Sequence, residues 1–263
     1  MTPDQIAASA EALFHAEATR SQIGILSEAH PAMSMDDAYA IQSAFCAKKS
    51  AAGAQVVGWK IGLTSKAMRD ALKIDIPDSG ILFDDMVFQN GATIPEGRFI
   101  QPRIEAEIAF VMKAPLEGAV SRDDVLAATA HVAPALEILD TRILRRNPET
   151  GAIRKIVDTI ADNAANAGIV MGEAHPADAD LRWVGAIVSR DGAVEETGLG
   201  AGVLDDPALA VAWLSERLGL YGQRIEAGQV VLSGSFIRPI EAPPGARIDA
   251  DFGGFGRVSC DFA

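Results

Sequence analysis

The chain has 263 residues, 49% of them hydrophobic and 22% charged, the balance of an ordinary globular protein rather than a disordered one. A formal net charge of −13 without a basic stripe excludes a nucleic-acid binder, and no apolar run reaches the roughly 18 residues of a membrane span. Met1-Thr2-Pro3-Asp4-Gln5 lacks the basic region and apolar core of a signal peptide, and Cys46 and Cys260 lack metal-ligand spacing. A cytoplasmic protein with free thiols is therefore expected.

Residues 4–20 carry Ile6, Ala10, Leu13 and Phe14 at helical spacing, with Asp4 after Pro3 as the expected N-cap. A second helix is expected from Met35 to about Ala51, with Ser34 as N-cap and Asp37 completing a capping box. His15 and His30 fall here and receive no role. Gln55 to Thr64 reads as a strand despite its glycines, and Lys60 sits in its apolar middle. Such a lysine either snorkels to solvent at a sheet edge or lies buried beside acids. A helix follows at Ser65 to Leu72, and then Ile76-Pro77-Asp78-Ser79-Gly80, where Asp78 reads locally as a turn residue.

From Thr93 the pattern turns to strands. In Arg103 to Val111 the period-two alternation puts Glu105 and Glu107 on one face, one pleat apart. Two like charges so placed are either a solvated strand face or a site for a hard cation. A helix starts near Ser121, and the run His131 to Asp140 is a second apolar strand carrying Glu137. Residues 141–167 are polar and irregular, with Arg142, Arg145, Arg146, Arg154 and Lys155 forming either a solvated face or a rim that attracts anions. The remainder alternates strands (Trp183 to Ser189, Gln229 to Ser233, Val258 to Ala263) with a helix from Pro207 to Leu218. At Ser233-Gly234-Ser235 small residues end a strand where backbone N–H groups can face a carboxylate. There is no internal repeat and no phosphate-binding glycine loop.

Glu105, Glu107 and Glu137 thus place three acids in apolar strands with no histidine or cysteine cluster, and isolated buried acids are costly unless paired or metal-bound. All-oxygen ligation suits Mg²⁺, with Mn²⁺ as the alternative, rather than Zn²⁺ or Cu²⁺. Three protein ligands leave room for a bidentate substrate, for which a 2-oxo acid is suited through its carboxylate and keto oxygens.

The runs Gly58-Trp59-Lys60-Ile61-Gly62-Leu63-Thr64-Ser65, Pro77-Asp78-Ser79-Gly80, Arg103-Ile104-Glu105-Ala106-Glu107, Pro134-Ala135-Leu136-Glu137 and Asp158 to Ala164 resemble the hydratase and decarboxylase family of aromatic meta-cleavage pathways. That family lies within the fumarylacetoacetate hydrolase-like superfamily. The resemblance implies an α+β protein in which a mainly helical N-terminal region, residues 1–54, precedes a catalytic domain, residues 55–263. The mixed β-sheet of that domain would be rolled into a barrel-like core. It implies Glu105, Glu107 and Glu137 as Mg²⁺ ligands and Lys60 and Asp78 as the proton-handling pair. Ser235 falls where the family sets a small hydroxyl residue or its backbone against the substrate carboxylate. The implied substrate is a small 2-oxo or 2-hydroxy dienoate, and homo-oligomers are common in the family. The Asp158 to Gly168 run, Glu196-Thr197-Gly198 and Ala201-Gly202-Val203-Leu204 look most like the members that hydrate a diacid. For a diacid, Arg142, Arg146, Arg154 or Arg238 is expected at the far carboxylate. Monoacid hydratases and 4-oxalocrotonate decarboxylases share the catalytic motifs. An acylpyruvate hydrolase would need a His–Glu pair, and a non-catalytic partner scaffold would not need the acids, Lys60 and Asp78 together. Near a cation in a dry pocket, Lys60 is expected to have a depressed pKa.

Overall fold

A computed structural model describes residues 1–72 and 74–263, with the side chains of Met68, Ala71 and Leu72 left aside. The N-terminal fifth is helical: α1 (Pro3–Thr19), α2 (Leu26–Ala29) and α3 (Met35–Ala51) precede β1 (Val56–Gly62), α4 (Lys66–Leu72), β2 (Asp78–Phe83), β3 (Val87–Phe88) and β4 (Ala92–Ile94). Then come β5 (Arg103–Met112), α5 (Arg122–Ala128), β6 (Thr129–Leu139), α6 (Ile156–Ala161), β7 (Asn166–Met171), β8 (Gly185–Arg190) and β9 (Ala193–Leu199). The chain closes with α7 (Pro207–Gly219), β10 (Val230–Leu232), β11 (Ile240–Glu241), β12 (Arg247–Asp251) and β13 (Arg257–Phe262).

The capping box at Ser34/Asp37 forms as the sequence predicts, and the helix expected near Ser121 starts on a second box, Ser121/Asp124. At α1 the cap is Thr2 rather than Asp4: its hydroxyl accepts from Gln5 N–H, and the Gln5 side chain reaches back to Thr2 N–H. Pro3 then occupies the first turn, where its missing N–H costs nothing.

Among the described residues the strands form two sheets. The larger is mixed and eight-stranded, in the order β2-β1-β10-β5-β6-β7-β3 with β11 beside β5; β1–β10 and β7–β3 are parallel, the rest antiparallel. The smaller runs β4-β13-β12-β8-β9. The larger sheet curls into the barrel-like core that the sequence led us to expect, and its two faces have different neighbours. Ile104, Ile108, Phe110, Leu136 and Val231 join a core shared with the second sheet and α7. Ala109, Ala135, Ile169 and Leu232 turn the other way, into a core with Leu13, Ile41 and Phe45 of the N-terminal helices. By alternation, this helix-facing side is also the side that receives Glu105, Glu107 and Glu137.

Residues 141–167, read as irregular, hold the connection that ties these layers together. Asp158 accepts from Ser27 N–H and Oγ and from Lys155 N–H, which fixes α6 against α2. Asn163, Ala164 and Ala165 are successive left-handed residues (φ 52°, 52° and 58°), each costing about 1–2 kcal/mol. The Asn163 side chain offsets this by acting as a strand partner: its Oδ1 accepts from Ile81 N–H and its Nδ2 donates to Ile81 O. The free edge of β2 is thereby closed. Cys46 and Cys260 are buried free thiols. No helix among the described residues is long and apolar enough to cross a membrane.

Candidate metal centre and proton-transfer site

Register explains how five charged side chains meet. Glu105 lies directly opposite Glu137 across the β5–β6 ladder, and Glu107 follows one pleat on, opposite Ala135. Leu232 on β10 pairs with both Ala109 and Lys60, so Lys60 projects from the same face two strands away. Asp78 faces Gly62, one pleat beyond Lys60. Asp78 is therefore not a turn residue; it opens β2, because the strand pairing with β1 outweighs the local Pro-Asp-Ser-Gly turn signal. Lys60 does not snorkel to an edge; β1 has β2 on one side and β10 on the other.

Carboxylate oxygens of Glu105, Glu107 and Glu137 lie within 4.8 Å of one another. Glu107 and Glu137 are fully buried and Glu105 is partly exposed. The Lys60 ammonium sits 3.3 Å from Glu137 Oε1, and Gly234 N–H donates to Glu107 Oε2 at 2.8 Å. The carboxylate that the Ser-Gly-Ser backbone faces is thus one of the protein's own. Glu107 Oε1, both Glu137 oxygens and Asp78 Oδ1 are buried without a hydrogen-bond partner. Buried carboxylate oxygens are normally hydrogen-bonded, so these are aimed at something else. Convergent, unpartnered and all-oxygen, the set fits a hard divalent cation.

The titration behaviour follows from this crowding. Burial first, then Glu137, pushes Glu105 up to about 8, against the pull of Lys60. Glu107 is raised well above the usual carboxylate range by burial and by both glutamates. Burial likewise raises Glu137 and Asp78, each opposed by Lys60. Burial lowers the Lys60 pKa, but Glu137, Asp78, Glu105 and Glu107 outweigh it and raise it above the ordinary lysine value. The expected depressed pKa is thus reversed in the metal-free protein, because four acids surround this one lysine.

Two glycines shape the cradle, and of these the sequence pointed to Gly234 alone, through its backbone. A Cβ on Gly62 would lie 2.2 Å from Asp78 Oδ1 and 3.2 Å from Lys60 Nζ. Gly234, at φ +113°, lies so close to Thr64 that a Cβ would meet its hydroxyl at 2.3 Å. A glycine inside a strand pattern is a mark of such close approach. The Ser235 hydroxyl is engaged in its own turn, donating to Ile237 O at 2.8 Å and accepting from Ile237 N–H.

The arginines expected at a far carboxylate separate. Arg142 is 2% exposed and fully committed, to Asp162, Glu17 and the carbonyls of Asp162 and Asn166. Arg238 is exposed and paired with Glu196, and Arg146 is exposed and donates to Gly151 O. Arg154 is half-buried, donates to the Thr141 hydroxyl and stands beside Arg103 and Arg142. His131 lies opposite Val111, six residues up β6 from Glu137, and so supplies no His–Glu pair there.

No protein-family model matches the chain. In fold it is similar to a fumarylpyruvate hydrolase from Pseudomonas aeruginosa solved with Mn²⁺ and pyruvate, at a TM-score of 0.60, 15% identity and coverage of 78% of this chain and 88% of that one. A 4-oxalocrotonate decarboxylase from Pseudomonas putida G7, solved with magnesium and adipate, superposes with a TM-score of 0.93 at 34% identity, covering 100% and 99% of the two chains. The chain has the fumarylacetoacetate hydrolase-like fold. It is also 48% identical over 256 residues, 96% of each chain, to the 2-oxo-hept-4-ene-1,7-dioate hydratase of Escherichia coli. It belongs to the hydratase and decarboxylase family of meta-cleavage pathways.

Proposed function

We propose that this protein is a Mg²⁺-dependent hydratase that converts 2-hydroxyhepta-2,4-dienedioate, the dienol form of 2-oxohept-4-ene-1,7-dioate, into 4-hydroxy-2-oxoheptanedioate. The observation that carries the reading is the set of unpartnered buried oxygens on Glu107 and Glu137 beside Glu105 and Lys60. The 48% identity to a named diacid hydratase supports hydration, against 34% to the decarboxylase of near-identical fold.

Glu105, Glu107 and Glu137 would hold the ion, which when bound stabilises negative charge developing on the substrate's C1 carboxylate and C2 oxygen. Lys60, 3.3 Å from Glu137 Oε1, is the proton donor. Asp78, raised by burial and freed on one oxygen, is its accepting partner. Together they carry a proton from the C2 hydroxyl to C5, which brings the remaining double bond into conjugation with the new ketone. Water then adds at C4, and C3 takes the last proton. Because its hydroxyl serves its own turn, Ser235 contributes through its main chain, at the loop that also steadies Glu107 through Gly234.

A turnover assay on 2-hydroxydienoates that differ beyond C5, with and without Mg²⁺, tests this. The expected result is loss of dienol and enone absorbance without gas, dependent on a divalent ion, fastest for the seven-carbon diacid. Release of CO₂ from a diacid as the main product would replace hydration with decarboxylation.

A further inference from the structure

Arg103 projects from the same face of β5 as Glu105, one pleat away, a step of about 6.6–6.8 Å along the strand. Around it gather two arginines from the connection after β6. A bridge between Arg146 and Ile153 folds that connection back on itself, and Arg154 N–H donates to Arg145 O at 3.1 Å, so Arg145 and Arg154 are held as neighbours. Arg103 and Arg145 each keep a buried Nε with no hydrogen-bond partner.

The carboxylates nearby do not balance three guanidinium groups. Asp140 is occupied by the N–H groups of Ile100, Gln101 and Thr141. Asp162 belongs to Arg142, and Asp158 to Ser27 and Lys155. Glu241, largely exposed, pairs with Arg103 at 3.0 Å. Arg145 reaches only neutral acceptors, Gln101 Oε1 and O at 3.3 and 3.2 Å, and Arg154 donates to the Thr141 hydroxyl. Burial first, then Arg103 and Arg154, pull Arg145 down to about 10 against the weaker pull of Asp140 and Glu241. In a chain of net charge −13, such a cluster beside the acidic centre needs a reason.

We infer that Arg145 and Arg154, with Arg103, form the subsite for the distal carboxylate of a dicarboxylic 2-oxo acid whose other end lies at Glu105, Glu107 and Glu137. The inference rests on the hydratase reading above for its substrate class. The one-pleat offset between Glu105 and Arg103 is comparable with the separation of the two carboxylates in an extended six- or seven-carbon diacid. Planar guanidinium groups with unused N–H donors suit a terminal carboxylate. Arg142, the conspicuous arginine of this segment, takes no part because its donors are already used.

Calorimetry on the Mg²⁺-loaded protein, with 2-oxoheptanedioate and 2-oxoheptanoate as probes, tests the subsite without requiring turnover. The wild type is expected to prefer the diacid. Arg145→Gln and Arg154→Gln should each narrow the diacid-to-monoacid preference by about 10- to 100-fold, the worth of a charge-assisted hydrogen bond. Arg145→Lys should recover part of it while melting like the wild type. Equal binding of the two probes by the wild type, an unchanged preference in both variants, or equal weakening of both ligands overturns the inference. A preference that behaves as expected in a protein that hydrates neither dienoate would instead overturn only the hydratase reading.

Discussion

The buried charge around Arg142 and that around Glu137 are built on opposite principles. Around Arg142, every group is answered: its guanidinium meets Asp162, Glu17 and two carbonyls, and Asp162 in turn accepts from Arg142 N–H at 2.8 Å. Around Glu137, two glutamates and an aspartate keep oxygens with no donor, although a lysine stands 3.3 Å away. A satisfied network repays part of its desolvation cost through geometry, whereas an unsatisfied one is strained until something else enters. Burial of charge therefore marks neither stability nor function; the count of unanswered atoms separates the two.

Substituting one member of each cluster gives the sharpest contrast. Arg142→Met leaves Asp162 buried without its cation and should cost about 3–5 kcal/mol, read as a large fall in melting temperature. Glu107→Gln removes one of three crowded carboxylates while keeping an acceptor for Gly234 N–H. The metal-free Glu107→Gln protein should melt no lower than the wild type, yet lose about 10³-fold in Mg²⁺-dependent hydration. A large stability loss in this variant, or near-normal turnover, would erase the distinction between the clusters.

Gly62→Ala probes the acidic cluster more gently. The new methyl would displace the Asp78 carboxylate, the free end of a side chain, rather than any backbone. Melting should fall by little while kcat drops about 100-fold, the usual effect of shifting a catalytic group by about 1 Å. Unchanged turnover would mean that the Asp78 position relative to Lys60 does not matter.

How much of this was legible in the sequence depends on the range of the interactions. Ser34/Asp37 is a local pair, and the sequence shows it directly. Glu105 and Glu107 share a face by strand alternation alone, but their meeting with Glu137 and Lys60 depends on a register that spans β1, β10, β5 and β6. The family motifs supplied that link. Asp78 looked like a turn because its neighbours are turn formers, and only pairing with Gly62 makes it a strand residue. Arg142 was misjudged for the same reason: its partners Glu17 and Asp162 are 125 and 20 residues away. The strands β9 and β12 went unread because their polar residues are exposed on a sheet edge or alternate too briefly to stand out.

The smallest effect, and the most informative about the empty-handed oxygens, is the pH dependence of the metal-free protein. Glu105 is held near 8 in the folded chain, against an unfolded value of about 4.3. The folded state therefore binds more protons than the unfolded one between these values. The contribution of this group to stability is complete below about pH 4.3 and is lost as pH rises through 8. Glu107 and Glu137, also raised, add to the same trend. A divalent ion held by these carboxylates would take the place of those protons, so its binding should release protons and tighten as pH rises towards 8. Calorimetric melting at pH 5.5 and pH 8 should thus show Mg²⁺ raising the melting temperature more at the higher pH. Arg142 and its partners contribute nothing to that difference, since they hold no oxygen for an ion. A Mg²⁺ shift equal at both pH values, or one that survives Glu107→Gln, would place the ion elsewhere.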